Sequence, residues 1–379
     1  MKGVAAIEVD KDRTFLSLAS LKKGIFSFWK EIEMETDFEE DFLGFFKKNW
    51  ERIEEKISEE EKKNYLKIEK IFVALPWYLE RKRIVEDIIP LRKKKRIKSY
   101  DISISKKQLE NIFLDWNDLC VHHIVLGYGI EDKVFRNPPI GIETKNLKLK
   151  SLLIWVKEQL YREIENIFIN RGREFAGFIS SWISNLSLFL EEKKEGKIGI
   201  LKIDYEKSYF VIFDEGNFSI YDFEFGLKKV FQKIQDEFLF SFDLAKEVFL
   251  NFFSFKEIFP FKEVSIKNKN TYINLSLKTL NSLVKNYIKE EILKILREVK
   301  KEGDFFSLYF VGRLNKKEGF SNFIKNMFPY VGKIHFFKSS VPSSLGCLKY
   351  GVFKSLENDC VRKRESFLQK ILSIYKEYF

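Results

Sequence analysis

The sequence is short of the residues that metal and disulfide chemistry require. Its three cysteines, Cys120, Cys347 and Cys360, lie far apart with no CxxC pair, and only 3 histidines are present, none at ligand spacing from a cysteine. Neither a disulfide framework nor a zinc site is indicated, and the compartment reads as reducing. No run of 18 apolar residues occurs, so no segment is long enough to span a bilayer as a helix. The first 20 residues, MKGVAAIEVDKDRTFLSLAS, carry charges where a signal peptide needs an apolar core. The expectation is a protein made and kept in the cytoplasm. Alanine and proline are also scarce, which leaves lysine, isoleucine and phenylalanine to dominate.

What is there is a folding composition: 45% hydrophobic residues with 40 phenylalanines, too apolar for a disordered chain. At 379 residues it exceeds one ordinary core and predicts two lobes or several subdomains. The net charge of +11 suits an anionic partner, either nucleic acid or the inner face of a membrane. Acidic residues are interspersed throughout, so charge alone does not choose. No aromatic-basic strand motif of the usual kinds occurs, and no nucleic acid partner is assigned.

Residues 4–30 alternate as paired strands around the turn at 22–24, and 38–70 carry Phe42, Phe45, Phe46, Trp50, Ile53 and Ile57 at helical spacing. A buried strand KIFVALP follows. Strand, strand, strand, helix, strand predicts an α/β lobe. Residues 79–150 read as a small αβ module: a basic run at 92–98, a strand-like SYDISIS, a helix around 106–116, a strand VHHIVLGYGI and a Pro-Pro-x-Gly loop. Helical spacing resumes at 151–170 and 176–190. After the polar loop at 191–197 the sequence opens again with three strands, GILKID, SYFVIFDEG and NFSIYDFEFG, which suggests an internal duplication. A helical block at 227–259, a strand at 262–275, an amphipathic helix at 277–301 and a strand FFSLYFVG come next. A helix near 320–328, a strand at 332–338 and a Gly-containing segment near 346–351 complete the body.

A duplicated lobe with a module inserted in the first copy resembles the actin-like superfamily. The segment VHHIVLGYGIEDKVFRNPPIGIETKNLKLK at 121–150 is similar to the inserted subdomain of the bacterial cell-division protein family FtsA. It has His122 or His123 after an aliphatic strand, Asp132 in a turn, the Asn137 to Gly141 loop and Leu147 in the following strand. The two histidines themselves read as strand residues with satisfied imidazoles. The resemblance implies an α/β, actin-like (ribonuclease H-like duplicated) two-lobed fold. Its parts are a first lobe at 1–78 and 151–190, the insert at 79–150, a second lobe at 191–226 and 304–356, and a second-lobe subdomain at 227–303. A basic linker and tail occupy 357–379.

The resemblance also implies ATP with Mg²⁺, held on Gly-rich hairpins because only glycine lets backbone N–H groups approach phosphate oxygens closely. The matching positions depart from that pattern. Where the family has Asp-x-Gly-Thr, this chain has Glu8-Val9-Asp10-Lys11; the second hairpin keeps Asp204 but has Tyr205, Glu206 and Lys207 in place of its glycines. The third keeps Gly312 and Gly319 with Arg313 and Leu314 between them, and the adenosine-facing Glu and Lys become Lys246 and Phe249. Asp10, Asp204 and Gly312 are therefore the nucleotide-site candidates, no catalytic residue or metal ligand is assigned, and little or no ATPase activity is expected.

In SFLQKILSIYKEYF, at about 100° per residue, Phe367, Leu368, Ile371, Leu372, Ile374, Tyr375, Tyr378 and Phe379 share an arc of about 160°. The other side is polar. Such segregation suits a helix lying in a membrane interface, with Arg362, Lys363 and Arg364 facing anionic lipid. The FtsA resemblance implies the same tail, a homopolymer, and a partner such as the C-terminal peptide of the tubulin-like FtsZ bound near the 277–301 helix, where Lys278, Lys285 and Arg297 are the candidate contacts. The expected function is a membrane-tethered cytoskeletal adaptor on the inner face of the membrane. The alternatives are a competent FtsA-like ATPase and a PilM-like pilus-assembly protein that binds the cytoplasmic tail of a membrane partner.

Overall fold

The computed structural model describes residues 2–10, 13–22, 25–35, 41–188, 197–214, 217–256, 262–268, 271–300, 307–328, 333–336 and 342–359. They form two compact units, 1–193 with 341–379, and 194–340. The tail at 360–379, with every candidate membrane residue from Arg362 to Phe379, lies outside the described residues.

The first unit begins with an antiparallel meander, β1 (Lys2–Asp10), β2 (Arg13–Lys22) and β3 (Ile25–Glu35). Helix α1 (Phe42–Asn64) follows, its N-cap Asp41 accepting from the Gly44 N–H at 2.6 Å. The predicted apolar face is the one it buries: Phe42, Phe45, Phe46, Trp50, Ile53 and Ile57, each stabilising by roughly 2 kcal/mol. The chain then enters β4 (Lys67–Leu75), parallel to β1.

The insert follows as β5 (Arg81–Arg96), α2 (Ser99–Phe113), β6 (Asp118–Ile130), β7 (Lys133–Phe135) and β8 (Glu143–Lys157), a sheet of order β5-β8-β6-β7 with α2 on one face. Two expectations are corrected here. SYDISIS is the start of helix α2 and not a strand: Asp101 accepts from the Lys98 N–H at 3.0 Å and pairs with Lys95, closing the first turn, while Ile102, Ser105 and Leu109 go inward. The strand β8 also runs through 151–157, where helical spacing was expected, so the insert's sheet extends past residue 150. There Leu152, Leu153, Ile154 and Val156 are buried in one continuous run, a pattern that periodicity cannot assign to helix or strand.

Helix α3 (Glu158–Ile169), β9 (Glu174–Ser180) and α4 (Ser181–Ser187) complete the first sheet, of order β3-β2-β1-β4-β9. Arg173 pins its layers. The guanidinium bonds the Glu54 and Glu61 carboxylates of α1 and donates to the Ile68 carbonyl of β4 at 2.8 Å.

The second unit repeats the plan. Strands β10 (Ile198–Ile203), β11 (Ser208–Asp214) and β12 (Asn217–Phe223) form the meander, followed by α5 (Leu227–Phe238), α6 (Phe242–Phe252), a hairpin of β13 (Glu263–Asn268) and β14 (Thr271–Ser276), and α7 (Leu277–Val299). After β15 (Ser307–Gly312) come a single 3-10 turn at Arg313–Lys316, α8 (Phe320–Met327) and β16 (Lys333–Phe336). Its sheet order, β12-β11-β10-β15-β16, matches the first strand for strand, with β15 parallel to β10 as β4 is to β1.

The last helix, α9 (Pro342–Asp359), belongs to the first unit, packing on α4, β1 and β4. The assignment of 342–356 to the second lobe is thus corrected. Small residues make the docking possible: a Cβ on Gly346 would stand 1.8 Å from the Ser184 carbonyl oxygen, and one on Gly351 would stand 2.5 Å from the Phe72 ring.

Candidate functional site

The candidate site consists of the hairpins that carry Glu8, Asp10, Asp204 and Gly312, each taken within its own unit. At the end of β1 Glu8 is buried, and its Oε2 accepts the N–H of Ser344 at 3.0 Å. Ser344 is the third residue of α9, so this carboxylate serves as a cap on that helix's positive end. Beside it Ser17 and Ser344 share a hydroxyl hydrogen bond of 2.6 Å. The neighbouring Cys347 is fully enclosed; burial pushes its thiol well above the ordinary value, and the Glu8 carboxylate adds to the effect. Asp10 lies opposite Arg13 in the β1–β2 register.

The second hairpin turns inward. Between β10 and β11 the residues 204–207 form a tight turn in which the Asp204 N–H donates to the Lys207 carbonyl at 3.0 Å. The carbonyls of Asp204 and Tyr205 then accept the first N–H groups of α5, Leu227 at 3.0 Å and Lys228 at 2.8 Å. Gly226 permits this approach, since a Cβ there would lie 2.4 Å from the Glu206 carbonyl carbon. The Tyr205 ring packs on Phe231, at 6.0 Å between centroids. Lys202, buried on β10, reaches Asp204 Oδ1 with its ammonium at 3.1 Å. A phosphate cradle needs backbone N–H groups and a helix N-terminus turned outward. Here the first two N–H groups of α5 are taken by the hairpin's own carbonyls and the third by Gly226, and a lysine stands against the acid.

The third turn is equally committed to packing. Gly312 holds φ 114°, and a Cβ would sit 2.7 Å from the Ile203 carbonyl oxygen, so this glycine allows the ends of β15 and β10 to close together. Leu314 is buried in the core of the unit. Gly319, at φ 84°, backs onto Phe255 and Lys256, and Lys317 caps the end of α6. Phe249 is buried and stacks on Phe253. These residues do not fit a Mg²⁺-nucleotide. Gly312 and Asp204 are brought together through the Ile203 to Gly312 pairing, while Asp10 belongs to the other unit.

The candidate peptide contacts on α7 do not converge. Lys278 and Arg297 are exposed but are separated by roughly 28 Å of helix at 1.5 Å per residue. Lys285 is half-buried and donates to the Lys256 carbonyl at 2.8 Å. Among the described residues no group of three or more His, Cys, Asp or Glu could hold a metal ion, and no helix is long and apolar enough to cross a membrane.

Both histidines of β6 are satisfied, in networks that spacing alone did not reveal. His122 Nε2 accepts the Ser180 N–H at 3.0 Å and its ring meets Tyr350 edge-on. His123 joins Glu110 of α2 at 2.8 Å and Ser151 of β8 at 3.0 Å. Burial lowers the His123 pKa, with the Glu110 hydrogen bond working against it. The order Ser, His, Glu is that of a nucleophile relay, but Ser151 is fully buried, so the network ties α2 to its sheet.

No family model matches the chain, and no curated protein matches it in sequence. Solved structures do. A PilM-PilN type IV pilus biogenesis complex aligns over 92% of this chain and 98% of that chain with a TM-score of 0.61 at 11% identity. The ethanolamine utilization protein EutJ from Carboxydothermus hydrogenoformans aligns over 92% and 89%, TM-score 0.52, at 10% identity. A diol dehydratase-reactivating factor in nucleotide free form aligns over 94% and 100%, TM-score 0.52, at 9% identity. The chain has the actin-like ATPase fold; at these identities the likeness is one of fold.

Proposed function

We propose that this chain is an actin-like adaptor, FtsA-like in use, that assembles in several copies and tethers a partner to the inner face of the membrane without nucleotide turnover. The observation that carries the reading is the inward use of residues at all three places: Glu8 of β1 caps α9, Asp204 and Tyr205 take the first two N–H groups of α5, and Gly312 closes on Ile203. A scaffold in which Glu8, the 204–207 turn and Gly312 are committed to its own packing retains surfaces as its means of action. The amphipathic sequence at 366–379 with Arg362, Lys363 and Arg364 before it supplies the lipid contact. One short helix binds lipid weakly, so firm tethering rests on several linked copies. The recruited partner on this reading is an FtsZ-like C-terminal peptide.

A second reading is favoured by one observation, the alignment with the PilM-PilN complex over nearly the whole of both chains. On that reading the partner is a PilN-like segment and the tail need not touch lipid. Co-sedimentation with anionic liposomes separates the two. The full chain should pellet, and a chain ending at Asn358 should remain in the supernatant. Equal pelleting of both, or of neither, removes the membrane claim.

A further inference from the structure

The chain's charge is unevenly placed. Between Arg81 and Lys157 there are 17 Lys and Arg against 9 Asp and Glu, a net +8 of the chain's +11. Within that module the excess is concentrated on β5 and its exit, where residues 81–98 hold 9 basic and 2 acidic residues. One of the two acids, Glu86, is paired with Lys148.

Strand β5 is also the edge of its sheet, in order β5-β8-β6-β7. From Arg81 to Pro90 it pairs with β8 without a break, and the irregularity that interrupts the register comes only after Pro90. Edges of this length are normally protected by short strands, bulges, prolines or charged side chains, because their unpaired N–H and C=O groups template another strand; on β5 Pro90 and Lys93 to Lys95 protect only the far end. Here Ile84 and Ile88, 53% and 56% exposed, stand along the open stretch. Arg81 and Arg83 at one end and Lys93, Lys94 and Arg96 at the other are exposed too. Between the basic ends the two acids are already engaged, Glu86 with Lys148 and Asp87 with the Ile88 N–H at 2.7 Å, so the exposed isoleucines and the flanking cations fit an extended, acidic strand.

The chain carries such a strand. Strand β3 is the outer edge of the first sheet, and its last residues alternate as Glu31, Ile32, Glu33, Met34, Glu35. Met34 faces the core, and Glu33 is shared with Arg13. Apart from β5 itself, which has two, no other edge strand among the described residues has more than one acid. Like edges repel, basic against basic or acidic against acidic, since like charges directly opposite destabilise a strand pair. A symmetric dimer through either edge is therefore disfavoured, and an unlike pair of edges makes a heterologous contact that propagates.

We propose that β5 is the acceptor edge for β3 of a second copy of this chain, so that copies add head to tail by strand pairing. This deepens the assembly part of the reading above, but its test contains no lipid, so either can fail while the other stands.

Sedimentation velocity of the full chain decides it. In about 50 mM salt the mean mass should rise with concentration above the 45.3 kDa monomer. In about 500 mM it should fall back to the monomer, as the screening length shortens to roughly 4 Å. Association through an apolar tail would instead hold or strengthen in salt. Glu31→Lys with Glu35→Lys, and separately Arg81→Glu with Lys93→Glu and Lys94→Glu, should each leave a monomer in low salt, with the circular-dichroism melt confirming a folded chain. Mixing the two variants should restore association, because the first keeps its basic β5 edge and the second its acidic β3 edge. A wild type that stays monomeric in low salt overturns the proposal even if no variant folds. So do folded variants that associate as the wild type does, or a mixture that stays monomeric.

Discussion

Lys317 shows how a single buried cation closes a helix end in this protein. Its ammonium donates to the carbonyls of Phe249 and Leu250 at 2.8 Å, and it lies 4.9 Å above the Phe249 ring, closing the C-terminal end of α6. The carbonyls and ring favour the charge, yet burial outweighs them and lowers the pKa to about 8. In the unfolded chain a lysine releases its proton near ~10.4, so between those values the unfolded state holds the proton and the folded site does not. Stability attributable to this site must therefore rise with pH through that window, by at most about 1.4 kcal/mol per pH unit. Urea unfolding of the wild type and of Lys317→Met at pH 7, 8, 9 and 9.5 should show their difference growing in favour of the wild type above pH 8. A difference that stays level would mean that the amine remains charged in place. Lys202 against Asp204 follows the same logic of an internal cation answering an internal acid, and neither lysine announces its role by its position in the sequence.

At the scale of elements, α9 is the clearest case of structure set by docking and not by local pattern. Its sequence PSSLGCLKYG shows little helical amphipathicity, and its glycines suggest a loop. What fixes it is the close crossing with α4, where Asn185 Nδ2 reaches Ser343 at 3.1 Å and Ser187 Oγ donates to the Gly346 carbonyl at 3.0 Å. Gly346→Val would drive its Cβ into the Ser184 backbone, with no flexible atom able to yield. That change should cost about 3 kcal/mol or more in a denaturant melt. Gly141→Ala, at φ 89° with open space around the new Cβ, should cost only about 1 kcal/mol, from backbone strain alone. Equal losses at the two sites would refute the crossing. The α1 face was legible because its six apolar residues repeat at helical spacing and all go inward. The start of α2 was not, because Tyr100, Ile102 and Ile104 alternate like a strand, and only the Asp101 cap and the sheet beneath decide for helix.

For the whole molecule, the duplication could be read because each unit opens on a three-strand meander with buried alternation, and the two sheet orders coincide. That the 204–207 turn contains no glycine was equally visible. What these residues bond was not, because the contacts are distant in sequence: Glu8 and Ser344 are 336 residues apart, and the partners of Asp204 and Tyr205 begin only at Leu227, behind Gly226. These contacts make a quantitative prediction about nucleotide. A ligand bound with a dissociation constant of about 10 μM and supplied at about 1 mM would stabilise the folded state by about 2.7 kcal/mol. For a unit of this size that corresponds to a rise in melting temperature of roughly 5–10 °C. Calorimetric melting of the full chain with and without ATP and Mg²⁺ at that concentration is expected to move by less than about 1 °C, which places any binding far above 10 μM. A shift of several degrees would mean that the hairpins open to admit phosphate. The inward hydrogen bonds of the α5 N-terminus would then be a resting state of a nucleotide switch, and the adaptor reading would give way to that of a competent ATPase.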